Sequence, residues 1–149
     1  MTEAHAPAVP AIVLRRRYKA SRERVFAAWT TPEIAARFLG PSDISVPEIE
    51  MDVRPGGSYR IAMMQPDGER FIVGGVYHEV RPPERLVMTW RWQEDDPAAE
   101  YDSLLTLEFN EHDGETEVIL THQQLATVAS RDRLEHGWTL ILDQLAKAL

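Results

Sequence analysis

Ser130-Arg131-Asp132-Arg133-Leu134-Glu135-His136-Gly137-Trp138-Thr139-Leu140-Ile141-Leu142-Asp143-Gln144-Leu145-Ala146-Lys147-Ala148-Leu149 carries apolar residues at Leu134, Trp138, Ile141, Leu142, Leu145 and Leu149, spaced by 4, 3, 1, 3 and 4. Those steps put all six on one face of an α-helix about five turns long, with Ser130 as its N-cap. A stripe of that length has to be buried against another layer. The residues before it offer one, because from Ile44 to Gln123 the chain alternates with the period of a strand.

Ile49, Met51 and Val53 share one face of the first strand in that region and Glu48, Glu50 and Asp52 the other, while Pro47 predicts a bulge. Pro55-Gly56-Gly57 turns the chain into Tyr59, Ile61 and Met63, and Pro66-Asp67-Gly68 marks a hairpin into Phe71 to Val80, where Gly74-Gly75 predicts a bend or a close backbone approach. Leu86, Met88, Trp90 and Trp92 line the next strand. The acidic segment Gln93 to Asp102 reads as a solvated loop. Leu105, Leu107 and Phe109, then Thr116, Val118, Leu120 and His122, face inward from the last two strands.

Upstream, Ile12 to Tyr18 is a further strand. Ser21 caps a short helix bearing Val25, Phe26 and Trp29; Thr31-Pro32-Glu33 starts a second, and Gly40-Pro41 stops it. The expected class is therefore α+β: a curved seven-stranded antiparallel sheet around a long C-terminal helix, with two short helices after the first strand. Residues 12–149 form a single domain, and residues 1–11, rich in Ala and Pro, a flexible N-terminal tail.

The composition narrows the function. The 149 residues hold 16 basic and 24 acidic side chains, a formal charge of −8, and no cysteine. Thiolate metal sites, disulfides and Cys nucleophiles are excluded. The acidic surplus argues against nucleic acid, which demands clustered Lys and Arg. No apolar run approaches the ~20 residues that span a bilayer, so membrane insertion is not expected and a cytoplasmic location is the default.

A helix of 19 residues is about 28 Å long and a six-residue strand about 20 Å, so one helix crosses such a sheet without filling a strongly curved one. Tyr59, Trp90, Trp92 and Trp138 face the leftover volume. They either line a cavity or simply fill it, and periodicity does not choose.

Several strings together carry a family resemblance: Arg16-Arg17-Tyr18-Lys19-Ala20-Ser21-Arg22-Glu23-Arg24-Val25-Phe26-Ala27-Ala28-Trp29-Thr30-Thr31-Pro32-Glu33, then Asp52-Val53-Arg54-Pro55-Gly56-Gly57, Gly75-Val76-Tyr77-His78-Glu79-Val80-Arg81-Pro82-Pro83-Glu84-Arg85-Leu86-Val87, Thr89-Trp90, Gly114-Glu115-Thr116, Thr121-His122 and Gly137-Trp138. In this order, over residues 12–149, they resemble the free-standing proteins related to the C-terminal domain of the activator of Hsp90 ATPase, in the START-like or Bet v 1-like superfamily. The resemblance implies a helix-grip fold with a cavity for an apolar or amphipathic small molecule. Phe38 departs from it, since the family often has Trp there. The eukaryotic co-chaperone also has an additional N-terminal domain, for which one domain of 149 residues leaves no room, so Hsp90 activation is not the expected activity.

The expected ligand site comprises Trp29, Tyr59, Tyr77, Trp90, Trp92, Leu107, His122, Trp138 and Leu142, with Arg16 holding an acidic head group. Arg16 shares the inward parity of Leu14 and Tyr18, and a buried guanidinium needs an anion; the bland alternative pairs it with a native carboxylate. His122 is a wall or core histidine, and His78 and His136 sit on neighbouring elements. No histidine pair has metal-ligand spacing, and the adjacent acids Glu94-Asp95-Asp96 point different ways, so neither metal nor cofactor is expected. Glu48, Glu50 and Asp52 belong on a wet outer face, with Arg54 as a partner for Asp52. Gly137 reads as a point of close approach between helix and sheet. Two other functions stay open: a cavity enzyme of the cyclase, dehydratase or hydrolase kind, for which no catalytic residues are specified, and a protein-binding module, either for a chaperone such as Hsp90 or as a homodimer through an exposed sheet edge.

Overall fold

The structure, a computed structural model, describes residues 9–149. In chain order the elements are β1 (Ile12–Tyr18), α1 (Arg22–Thr30), α2 (Pro32–Ala35), β2 (Ser45–Met51), β3 (Ser58–Met64), β4 (Arg70–Arg81), β5 (Arg85–Trp92), β6 (Ser103–His112), β7 (Glu115–Gln123) and α3 (Val128–Ala148). The sheet order is β1-β7-β6-β5-β4-β3-β2 and every pair is antiparallel. Strands β2 to β7 thus form a meander, and α1 and α2 carry the chain from β1 on one edge to β2 on the other. The sheet curls around α3, the helix-grip arrangement.

Alternation explains which face is covered. In β7 the inward residues Thr116, Val118, Leu120 and His122 are all fully buried, and in β6 so are Leu105, Leu107 and Phe109. The matching face of α3 buries Trp138, Ile141, Leu142 and Leu145. Curvature comes from two register shifts, one between Ser45 and Glu48 at Pro47 and one between Tyr77 and Glu79. At Gly75 the backbones of β4 and β5 come so close that a Cβ would collide with the Thr89 carbonyl oxygen. On the outer face Glu48 pairs with Arg60 and Arg70 at 3.3 and 3.4 Å, and Asp52 with Arg54 at 2.9 Å, as the wet-face reading expects.

Helix α3 starts earlier than its apolar stripe. Thr127, not Ser130, is the N-cap: its hydroxyl accepts the Ser130 backbone N–H at 3.1 Å. The extra turn lies outside the stripe, which is why the apolar pattern alone does not find it. At the other end Gln144 donates to the carbonyls of Phe38 and Gly40 at 3.0 and 2.8 Å, fixing the turn after α2 against the helix. Phe38 itself is fully buried with its ring edge-on to Trp29, 5.0 Å between centroids, so the departure from Trp at this position falls in the core.

Strand β1 is tied to α3 as well. The Tyr18 hydroxyl donates to the Leu142 carbonyl at 2.7 Å, and burial raises the pKa of that phenol, keeping it a donor. Of the expected tail, residues 1–8 lie outside the described residues. Val9 packs partly against the core, and Arg131 donates to the carbonyls of Pro10 and Ala11 at 3.3 and 3.4 Å, so the approach to β1 is held rather than free. Among the described residues no helix is long and apolar enough to cross a membrane.

Candidate functional site

The first half of α3 does not press flat against the sheet. Between it and strands β3, β5 and β6 lies a cavity of about 290 Å³. Met63, Trp90, Trp92 and Ser103 form its sheet side. From α3 come Leu134, Trp138 and Ile141 of the apolar stripe, with Ser130, Arg133 and Gly137 beside them one turn apart. Pro41 and the residues Glu94, Ala99 and Tyr101 complete the rim. The walls are mainly apolar and aromatic, with a carboxylate and a guanidinium on the exposed rim, a composition typical of small-molecule sites.

The indole of Trp138 is central to the wall. Its ring lies 5.0 Å from that of Trp90 and 6.2 Å from that of Trp29. Its Nε1–H donates to His122 Nδ1 at 3.0 Å. An indole only donates, so Nδ1 is the unprotonated nitrogen, and the proton of the neutral ring sits on Nε2. Nε2 is 2.7 Å from Ser103 Oγ, which in turn donates to the Trp90 carbonyl at 2.8 Å. The donors run in one direction, from the indole through the imidazole and the hydroxyl to the Trp90 carbonyl. Burial lowers the His122 pKa to about 4, which keeps the ring in the neutral form the chain requires.

The same logic bears on catalysis. Ser103 and His122 are close enough to suggest a nucleophile and its base, but a base must present a lone pair to the hydroxyl. Here Nε2 presents its proton, and the lone pair is taken by Trp138. The pair is a structural link that joins Ser103 on the cavity's sheet side to Trp138 on its helix side. Trp90, in contrast, has a buried Nε1 with no hydrogen-bond partner, so ring contacts hold it: edge-on packing with Trp92 at 5.7 Å and with His122 at 5.9 Å.

Of the residues expected at the site, Trp90, Trp92 and Trp138 line the cavity. Trp29, Tyr59 and His122 touch those rings from behind, and Tyr77 lies one layer further back against Tyr59 at 5.4 Å. The Tyr59 hydroxyl donates to the Thr89 carbonyl at 2.5 Å, and burial raises its pKa. Leu107 and Leu142 are fully buried core residues that do not reach the cavity. Arg16 is placed elsewhere: its Nε and Nη2 donate to Asp143 Oδ1 at 3.2 and 3.0 Å on a partly exposed flank of α3. The bland alternative for Arg16 therefore holds, because α3 brings a native carboxylate within reach. Exchanging Arg16 for Met should cost at most about 1 kcal/mol in urea unfolding, as exposed ion pairs do, and leave ligand affinity unchanged in a fluorescence titration. His136 is exposed on α3, and His78 lies in an open groove beside Gly74 and Arg91.

The acidic loop is solvent-exposed, as its sequence reading expects, and it also reaches the cavity, which that reading did not include. It folds over the cavity: Asp96 caps a 3-10 turn at Pro97–Ala99, the Glu100 carboxylate accepts the Glu94 backbone N–H at 3.1 Å, and Tyr101 Oη accepts the Ala126 N–H at 3.3 Å. The Asp96-Pro97 pair is the sequence signal for that turn.

A curled antiparallel sheet gripping one long helix over an aromatic cavity defines the SRPBCC, or Bet v 1-like, class. Residues 19–149 match the family model described as activator of Hsp90 ATPase homolog 1-like protein, and the chain belongs to that family. Among solved structures, protein CV1439 from Chromobacterium violaceum is 26% identical with a TM-score of 0.82, over 92% of this chain and 94% of that one. The AHSA1 protein SPO3351 from Silicibacter pomeroyi is 28% identical with a TM-score of 0.80, over 93% and 96%. CalU16 from Micromonospora echinospora is 26% identical with a TM-score of 0.69, over 93% of this chain and 74% of its own. No curated protein matches.

Proposed function

We propose that the protein binds an apolar or amphipathic small molecule between α3 and the sheet. The observation that supports this reading is the open space itself. Trp92, Trp90 and Trp138 pack ring against ring along one wall and still leave about 290 Å³ unfilled between helix and strands. An apolar cavity of about 150 Å³ accepts benzene, so this one has room for a bicyclic ring system. The rim adds Arg133 and Glu94, on opposite sides of the mouth, from α3 and from the loop after β5. Neither forms an ion pair among the described residues, and Arg133 Nη2 donates to the neutral Ser130 hydroxyl at 3.3 Å, so both charges remain uncompensated and can meet the polar end of an amphipathic ligand.

Because Trp90, Trp92 and Trp138 form the wall, their fluorescence reports occupancy directly. Titration with naphthalene, 2-naphthol and 2-naphthoate should give saturable quenching by at least one of them, and native mass spectrometry should show the corresponding one-to-one adduct. A flat fluorescence response to all three, with the bare polypeptide mass throughout, would refute the proposal.

A further inference from the structure

Gly137 stands in the middle of α3, where glycine is a poorer helix former than alanine. Two structural needs usually justify it. One is a positive φ, but the glycines that have one are Gly56, Gly68 and Gly114. The other is a tight contact, as at Gly75. The close approach of helix and sheet expected at Gly137 is not found: a Cβ there would meet no neighbouring atom within 4 Å.

What the missing side chain does leave is space. Gly137 lines the cavity together with Ser130, Arg133, Leu134, Trp138 and Ile141. At about 100° per residue these six span an arc of roughly 140°, and Gly137 falls about 30° from its centre. A side chain at this position would project into the cavity between Leu134 and Ile141.

We infer that Gly137 is a specificity-determining residue: its missing side chain sets the largest ring system the cavity admits. The inference rests on the proposed binding function and adds the class of ligand, a bicyclic rather than a monocyclic apolar body. Helix stability is given up at Gly137 and ligand volume is gained.

The test compares the native chain with Gly137→Ala and Gly137→Leu, using naphthalene and benzene as probes of different size. Since nothing stands in the way of a Cβ, Gly137→Ala should raise the thermal midpoint by about 2–4 °C. Gly137→Leu should remain folded and weaken naphthalene at least tenfold while changing benzene less than threefold. Gly137→Ala should shift the ratio of the two affinities in the same direction by a smaller factor, which keeps the idea testable should the leucine variant fold poorly. Unchanged affinity for both probes in either variant, an equal loss of both, or a lowered midpoint in Gly137→Ala would overturn the inference and leave the binding reading intact. A native protein that binds none of naphthalene, 2-naphthol and 2-naphthoate would overturn the binding reading, and this inference with it; where only a substituted naphthalene binds, that compound replaces naphthalene in the comparison with benzene.

Discussion

Trp138→Ala should leave the protein barely folded at neutral pH. Trp138 is 1% exposed, and truncating a buried Trp to Ala typically costs about 3–5 kcal/mol through lost transfer energy and the hole left behind. A second cost is specific to this site. His122 Nδ1 accepts only from the indole, so the variant leaves a buried ring nitrogen without a donor, a loss of about 1–3 kcal/mol. Together they come to about 4–8 kcal/mol, comparable with the lower half of the ~5–15 kcal/mol that holds an ordinary domain folded. Urea unfolding followed by circular dichroism is the measurement, since fluorescence would lose one of its reporters. A loss below about 2 kcal/mol would show that neither term operates as described.

The two terms can be separated. Trp138→Phe keeps most of the ring and removes the N–H, so it should lose about 1–3 kcal/mol. Combined with His122→Leu, which removes the acceptor, the same change should cost measurably less. That coupling is what a double-mutant cycle reads, and additive costs would mean that the 3.0 Å contact contributes nothing to stability.

Why Trp138 and His122 could each be picked from the sequence, and the contact between them could not, follows from the range of each signal. A period of 3.6 or 2 is written in neighbouring residues, so the α3 stripe, the inward parity of His122 and the seven strands were legible. The Pro47 bulge and the close approach at Gly75 were legible for the same reason, since each acts on its own backbone. Parity says which way a side chain points but not how far along the strand α3 crosses it. Trp90 and Leu107 share the inward face, yet the curl of the sheet leaves only Trp90 on the cavity. Arg16 was misplaced because its partner Asp143 lies 127 residues away, on the flank of a helix whose rotation the stripe fixes only roughly. The rim was missed for a third reason: the loop is solvated as its acids suggest, and nothing local announces that its carboxylates hold its own backbone or that the Tyr101 hydroxyl anchors it to the Ala126 N–H.

Acid should destabilise the protein well before its carboxylates are protonated. His122 titrates near 6.5 in the unfolded chain, and burial lowers that value to about 4 in the folded one. Between those values the unfolded chain binds a proton that the folded one refuses, so this contribution is fully present above pH 6.5 and is lost as pH falls toward 4. The total is on the order of 3 kcal/mol, of which about 2 kcal/mol is gone by pH 5. Desolvation is the only cause of the shift, with no charged neighbour contributing. The contacts of the ring agree: Trp138 Nε1–H on one side, Ser103 Oγ on the other and the Trp90 ring edge-on. Protonating Nδ1 would set two N–H groups against each other across 3.0 Å, so geometry opposes the charged form together with burial. In His122→Gln, which retains an acceptor and a donor without a titrating group, stability at pH 7 should be lower and its fall between pH 7 and pH 5 shallower by about 2 kcal/mol. Urea midpoints of both proteins at pH 7, 6 and 5 provide the comparison; parallel profiles for the two would place the acid sensitivity elsewhere and remove His122 from the account.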